Sequence, residues 1–150
     1  MLTETPSGLR EIIATFGDPR RADFERSHIV SFTLPYPLLY GSQPVRRGRC
    51  HRLLVDNFTA ALAGIQTAGL ESELKHYSGI YAFRPIRGAS SLSTHSWGIA
   101  IDAEATKYPL RSLRRFPETI IAIWRQYGFF YGGDFEARKD PMHFQFCTNY

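Results

Sequence analysis

The sequence lacks any long apolar run and has only two cysteines among its 150 residues. No stretch approaches the roughly 20 apolar residues of a membrane-spanning helix, so we expect no membrane partner. The first residues also lack the basic and then apolar pattern of a secretory signal. Cys50 and Cys147 have no metal-ligand spacing with another cysteine. Two thiols in a chain without a signal favour the free, reduced form, although a pairing stays open.

Repeats, low-complexity linkers and long blocks of one charge are absent as well. With 43% hydrophobic residues, a chain of 150 residues can bury one sizeable core, so we predict a single domain over residues 1–150. The net charge is +4, and arginines come in small groups such as Arg20 with Arg21. No recognisable nucleic-acid module accompanies this charge, so we expect no nucleic-acid partner. A solvated basic surface or attraction to an anionic polymer accounts for it.

The order of predicted elements indicates an α+β fold. Apolar spacing and capping residues predict helices over residues 7–16, 50–68 and 117–127. Strand-like segments lie over residues 28–34, 76–83, 98–103, 129–131 and 143–147. Pro35 and Pro37 are expected to end the first strand. We therefore predict helices packed on one face of a mostly antiparallel sheet, with loops over residues 35–44 and 105–110.

Two short motifs carry the residues suited to metal chemistry. The first, Ser93-Thr-His95-Ser-Trp97-Gly98-Ile-Ala100-Ile-Asp102, places a histidine and an aspartate seven residues apart. The second, Asp140-Pro-Met-His143, adds a histidine with a carboxylate three residues before it. Together they provide two imidazoles, one binding carboxylate and one spare carboxylate. These are the parts of a catalytic zinc site with an open coordination position.

Strand alternation predicts that these residues converge. In the first strand Asp102 points away from the apolar face, and in the last strand His143 does the same. If the two strands are neighbours, His95, Asp102 and His143 meet, with Asp140 close by. The apolar faces are formed by Ile99, Ile101 and Ala103 and by Met142, Phe144 and Phe146.

The alternative is a structural hydrogen bond between a histidine and an aspartate. An aspartate inside an apolar strand needs a partner in either case, because burying a lone carboxylate costs several kcal/mol. Spacing alone leaves both interpretations open.

The pattern Ser-x-His-x-x-Gly-x-Ala-x-Asp followed by carboxylate-x-x-His resembles the zinc D-alanyl-D-alanine carboxypeptidase / L-alanyl-D-glutamate peptidase family. That family includes the vancomycin-resistance D,D-peptidases and several phage endolysins. All five fixed positions of the first motif match. The resemblance extends over about residues 50–146, and its further matching positions are Tyr77, Ser78, Gly79, Arg84, Arg87, Gly88, Gly132, Gly133, Asp134 and Phe135. It implies the same α+β architecture.

By position, the resemblance implies that His95, Asp102 and His143 bind zinc and that Asp140 is the general base. Many relatives have Glu at that last position, and some of the endolysin-like branch use Asp. Arg84 resembles the family's catalytic arginine and is our candidate for stabilising the oxyanion, with a surface or structural arginine as the alternative.

Three further residues are expected near the site. Arg87 is a candidate for holding a substrate carboxylate through a bidentate contact. Ser93 is expected to orient a ligand from behind. Trp97 either forms a wall of the cleft or belongs to the core.

Three functions stay open at this point. The first is a zinc peptidase that cuts D-residue-containing bonds in peptidoglycan stem peptides, as D-Ala-D-Ala carboxypeptidase, dipeptidase or L-Ala-D-Glu endopeptidase. The second is an inactive binding protein that keeps the zinc fold, as in the hedgehog signalling domain. The third is a wall-binding module with a structural metal or none. We expect a monomer that is cytoplasmic, released at lysis, or part of a longer secreted chain.

Overall fold

The computed structural model describes residues 1–150. The helices are α1 (Gly8–Phe16), α2 (Phe24–His28), α3 (Val55–Thr67) and α4 (Glu118–Gln126). The strands are β1 (Ile29–Tyr40), β2 (Gln43–His51), β3 (Tyr77–Gly79), β4 (Ala100–Ala103), β5 (Phe130–Tyr131) and β6 (His143–Gln145). Short 3-10 helices lie at Arg52–Leu54, Glu71–Glu73, Thr94–Trp97 and Gly132–Asp134. No helix is both long and apolar enough to cross a membrane.

The strands form two antiparallel sheets. Strands β1 and β2 make a long two-stranded hairpin, and the other four strands pair in the order β3-β4-β6-β5. Helix α3 packs on β1 and on α4. The ring of Trp124 in α4 stacks on Phe144 of β6, with the centroids 5.1 Å apart. The predicted α+β class with antiparallel sheets and packed helices is therefore confirmed.

The long predicted helix is α3 in the structure, and its apolar face packs against residues of both sheets. Phe58, Leu62 and Ile65 of α3 are fully buried. The ring of Phe58 contacts Phe32 of the hairpin and Phe129 beside the four-stranded sheet. One continuous core therefore supports both sheets, as burial on both sides of a central helix requires.

The hairpin corrects the prediction for residues 28–44. The first strand does not end at Pro35 and Pro37 but continues to Tyr40, so residues 35–44 are not a loop. The pairing register breaks between Thr33 and Leu38, and both prolines fall within this break. Because proline cannot donate to a strand ladder, such an irregularity is where a strand tolerates it.

The long helix begins later than predicted. Cys50 and His51 belong to β2, where Cys50 pairs with Val30, and the α-helix starts only at Val55. The His51 backbone also donates to the Gly98 carbonyl at 3.0 Å. Cross-strand pairing therefore overrides the local helical pattern in this segment. Helix α1 covers the predicted residues, but only Ile12 and Phe16 are buried.

Candidate metal centre

Strands β4 and β6 bring the two motifs together. They pair antiparallel, with Ile101 opposite Phe144 and Asp102 opposite His143. Both apolar partners point into the core, so the pleat directs Asp102 and His143 to the other face. The prediction that these two strands are neighbours, with Asp140 just before the second strand, is confirmed.

A tight turn places His95 next to Asp102 and His143. His95 lies in the 3-10 helix Thr94–Trp97, whose first backbone donors are capped when Ser93 Oγ accepts from the His95 N–H at 3.3 Å. The turn ends at Gly98 with a φ of +69°, in the left-handed region. A Cβ there would lie 2.8 Å from the His51 backbone nitrogen. Only glycine therefore fits both the conformation and the close approach.

Hydrogen bonds determine which nitrogen of His95 faces the site. The Nδ1 atom of His95 donates to the Ile80 carbonyl at 2.7 Å. A neutral imidazole then carries its lone pair on Nε2, which lies 3.1 Å from Asp102 Oδ2. His95 is only 3% exposed, so this tautomer is set by protein groups rather than by solvent.

His143 is oriented by an acceptor on its own strand. Its Nε2 lies 2.9 Å from Gln145 Oε1, an acceptor, so Nε2 carries the hydrogen. Thr94 Oγ1 also donates to that amide oxygen at 3.2 Å. The other ring nitrogen, Nδ1, faces Asp102 Oδ1 at 2.8 Å. Both imidazoles are therefore arranged to present a lone pair toward the Asp102 carboxylate.

The charges in the centre are strongly coupled. Burial would raise the pKa of Asp102, but contacts with His143 and His95 outweigh it and hold that pKa far below its usual value. Burial alone would lower the pKa of His143, but the protonated ring, unlike the neutral one, carries a hydrogen on Nδ1 and donates it to Asp102. This hydrogen bond and the charge of Asp102 raise that pKa. The centre therefore holds Asp102 as a carboxylate, the form that binds cations.

These residues fit a divalent metal ion. One donor atom from each of His95, Asp102 and His143 lies within 4.8 Å of the other two. The buried Nε2 atom of His95 has no hydrogen-bond partner, although Asp102 Oδ2 is only 3.1 Å away. Buried polar atoms are normally satisfied, so a shared cation between these donors would explain the orphaned nitrogen. Two imidazole nitrogens and a carboxylate are a common set of metal ligands.

Asp140 lies beside this centre on the connection into β6. Its backbone nitrogen donates to the Gly132 carbonyl at 2.9 Å, and its carbonyl accepts from the His143 N–H at 3.0 Å. A Cβ at Gly132 would collide with the Asp140 carbonyl, so glycine lets the two segments approach. The Oδ1 atom of Asp140 is buried without a hydrogen-bond partner. Burial, with a contribution from the Asp102 charge, raises the pKa of Asp140 despite the opposing charge of His143.

One cleft of about 970 Å³ contains the metal-centre residues and most of the predicted neighbours. His95, Asp102, Asp140 and His143 line it, and so do Ser93, Arg84 and Arg87. Ligand pockets are commonly of this size. The structure thus brings these seven predicted site residues to one cavity.

Trp97 is the exception among the predicted cleft residues. Its side chain is fully buried in the core, and its Nε1 donates to the Gly17 carbonyl at 2.9 Å. Of the two expected positions, cleft wall and core, the structure gives the core.

The two cysteines do not form a disulfide: Cys50 and Cys147 are both free and buried.

Four groups at the site were missed from the sequence. Thr94, Gln145 and the Ile80 carbonyl fix the two histidines, as described above. The fourth is Ser96, whose buried hydroxyl donates to the Arg84 carbonyl at 2.9 Å and accepts from the Arg84 N–H at 3.0 Å. Thr94, Ser96 and Gln145 flank the motif residues by one or two positions. Their position on the polar face of a strand or turn was the sequence feature that could have identified them as site residues.

Comparison with known families adds the remaining observation. Residues 87–146 match a family described as D-alanyl-D-alanine carboxypeptidase. This segment is a D-alanyl-D-alanine carboxypeptidase family domain. The carboxypeptidase match covers His95, Asp102, Asp140 and His143, and it confirms the predicted resemblance. It starts after Arg84, so that residue lies outside the matched segment. Comparison with the curated proteins and with the solved structures gave no match.

Proposed function

We propose that this protein is a zinc metallopeptidase that hydrolyses D-amino-acid-containing peptide bonds in peptidoglycan stem peptides. One observation carries the proposal: His95 Nε2, Asp102 and His143 Nδ1 converge within the carboxypeptidase family segment, beside the buried and unpartnered carboxylate of Asp140. Three protein ligands with a neighbouring acid form the donor set of a catalytic zinc site, in which a fourth position stays open.

Zinc held by these three residues would supply Lewis acidity, which acidifies water and polarises a peptide carbonyl. The surrounding protein supplies orientation. The Ile80 carbonyl and Gln145 hold the two imidazoles in the tautomers whose lone pairs face Asp102. Such fixed ligands need no rearrangement when a metal ion binds.

Asp140 is the proposed general base. It accepts a proton from the attacking water and passes it to the amine that leaves, so that one carboxyl serves both halves of the reaction. Its raised pKa, caused first by burial, supports this role because a base works best when its pKa approaches the working pH. The unsatisfied Oδ1 atom leaves room for a hydrogen bond from water.

Arg84 is the proposed donor to the developing oxyanion. It lines the cleft with the metal ligands, and its main chain is clamped on both sides by the Ser96 hydroxyl. Ser93 extends this clamp, because its backbone N–H donates to the Arg84 carbonyl at 2.9 Å. The Arg84 side chain itself is exposed, and its guanidinium is the proposed donor that stabilises negative charge as it forms.

The test is incubation of the purified, zinc-loaded protein with muropeptides, followed by mass spectrometry of the products. The expected result is loss of a terminal D-Ala or cleavage inside the stem peptide. It should depend on zinc and be strongly reduced in Asp140→Ala. Tight muropeptide binding without any product would instead identify a binding protein on the same fold. Activity in a preparation free of zinc and other divalent ions would overturn the mechanism.

A further inference from the structure

Tyr150 contacts both the turn that carries His95 and the loop that begins at Arg84. Its ring packs edge-to-face against Trp97 of that turn, with the centroids 5.7 Å apart. Its hydroxyl donates to the carbonyl of Leu92, at the other end of the loop, at 2.6 Å. The half-buried side chain also lines the cleft. One tyrosine therefore joins the histidine turn to the loop that carries the proposed oxyanion donor.

The segment that follows β6 is fixed before it reaches Tyr150. Thr148 pairs with Ser7 in a parallel bridge, and its backbone N–H donates to the Pro6 carbonyl at 3.0 Å. Asn149 then has a φ of +54°, in the left-handed region that asparagine tolerates better than most residues. The side-chain amide of Asn149 donates to Ser7 Oγ at 2.7 Å. Contacts outside the cleft therefore set the position of Tyr150.

The loop over residues 84–92 forms a short hairpin at the edge of the cleft. An antiparallel bridge between Pro85 and Leu92 closes its stem, and residues 87–91 at its tip are exposed. A single two-stranded hairpin is marginally stable by itself, so the position of this loop depends on the contacts that fix its stem. The hydrogen bond from the Tyr150 hydroxyl is such a contact, and it acts on the Leu92 side of the stem.

We propose that Tyr150 is a positioning residue for the reaction, because its hydroxyl fixes the loop stem and so holds Arg84 in the cleft. The Ser96 hydroxyl bonds the Arg84 main chain, so the stem is fixed at both ends. The inference rests on the proposed peptidase function and adds a residue outside the matched family segment. A donor that is already in place needs no reorganisation as charge develops. Loosening the loop should therefore slow the reaction without removing the metal.

Trypsin reports the position of the loop and does not require peptidase activity of the protein. The exposed Arg87–Gly88 bond lies at the loop tip and offers trypsin an arginine to cut after. In a folded protein such cleavage follows the population in which the loop has opened. Tyr150→Phe keeps the ring and removes only the hydroxyl. We expect cleavage at Arg87 in the zinc-loaded protein to become about 3- to 10-fold faster, as for loss of one neutral hydrogen bond, measured by mass spectrometry of the fragments.

Tyr36→Phe is the matched control for the lost hydroxyl. The buried Tyr36 hydroxyl donates to the Leu74 carbonyl at 2.8 Å, so this variant loses the same kind of hydrogen bond, but Tyr36 does not line the cleft. It should leave cleavage at Arg87 and kcat unchanged. In Tyr150→Phe, kcat on a muropeptide should fall by about 3- to 10-fold, with zinc retained and a smaller change in KM.

The two measurements can each overturn the proposal. Cleavage at Arg87 that is no faster in Tyr150→Phe than in Tyr36→Phe would show that the hydroxyl does not anchor the loop. Faster cleavage with unchanged kcat and KM would show that the anchored loop does not position a group for the reaction. If the wild-type protein hydrolyses no muropeptide, the peptidase function fails, whereas faster cleavage in Tyr150→Phe still supports the anchoring of the loop by Tyr150.

Discussion

His143 lies directly opposite Asp102 on the neighbouring strand, and its Nδ1 atom is 2.8 Å from Oδ1 of that carboxylate. The other oxygen of Asp102 faces His95. Because each of the three side chains presents one donor atom to the same point, we expect one zinc ion per chain. His143→Ala should lose that metal, as measured by elemental analysis of protein purified without added zinc.

Asp140→Ala separates metal binding from chemistry. Asp140 lines the same cleft but is not one of the three converging ligands. The variant should keep zinc and fold, while kcat falls by roughly 10²–10⁴ for loss of a general base. Loss of zinc in Asp140→Ala together with retention in His143→Ala would reverse the two assignments.

Gln145 should control metal affinity without touching the metal. Its amide oxygen fixes the hydrogen of His143 on Nε2, so Gln145→Met removes the acceptor while keeping a long unbranched side chain. We expect zinc affinity to fall by about 10- to 100-fold, measured by competition with a chromogenic chelator. Gln145→Glu retains an acceptor and should lose less. Equal affinities for wild type and Gln145→Met, with both proteins folded, would refute this role.

The convergence of the proposed metal ligands could be predicted because it follows from local rules. Strand alternation assigns Asp102 and His143 to the face opposite their apolar neighbours, and only the pairing of the two strands had to be assumed. The partners that orient the histidines could not be predicted. The Ile80 carbonyl reaches His95 from 15 residues away, and its place depends on how the chain packs after Gly79.

The errors in the fold have a similar origin. Cys50 and His51 continue the helical pattern of the segment that follows, but their partners in the hairpin and at Gly98 are distant in sequence. Local propensity does not include the stabilisation that contacts between such distant residues provide. The prolines of β1 were misjudged for the same reason, since a break in register can be seen only once the partner strand is known.

Arg84 should act mainly in the transition state. Arg84→Ala is expected to lower kcat by an amount equivalent to about 3–4 kcal/mol, with a smaller change in KM, because its interaction strengthens as charge develops. Arg84→Lys keeps the charge without the planar fork and should not restore the full rate. Ser96→Ala should lower kcat in the same direction while keeping zinc, since it releases the Arg84 main chain.

An exposed arginine away from the cleft provides the control for this series. Arg46→Ala changes a residue of the hairpin that does not line the cleft, so it should leave kcat unchanged. Steady-state kinetics on one muropeptide would measure all four variants. An unchanged kcat in Arg84→Ala would show that another donor stabilises the oxyanion, and Arg87 is the next candidate.

His51 should make the stability of the fold depend on pH. It is fully buried, its Nε2 donates to the Phe16 carbonyl at 3.0 Å, and its Nδ1 accepts from the Leu53 N–H at 3.2 Å. Burial is the main cause that lowers the pKa of His51 to about 4, with the nearby charges of His28 and Arg52 acting in the same direction. The unfolded chain takes up this proton near pH 6.5, whereas the folded protein does so only near pH 4.

The free energy of unfolding should therefore fall as pH drops from about 6.5 to 4, by roughly 3 kcal/mol from this residue, and the contribution should be intact at pH 7. His51→Gln can donate and accept but does not titrate, so its stability should depend less on pH across that window. Denaturant unfolding of both proteins in a chelator, at intervals from pH 7 to pH 4, isolates the difference from metal loss. Parallel stability curves for the two proteins would show that His51 takes up its proton equally easily in the folded and unfolded states.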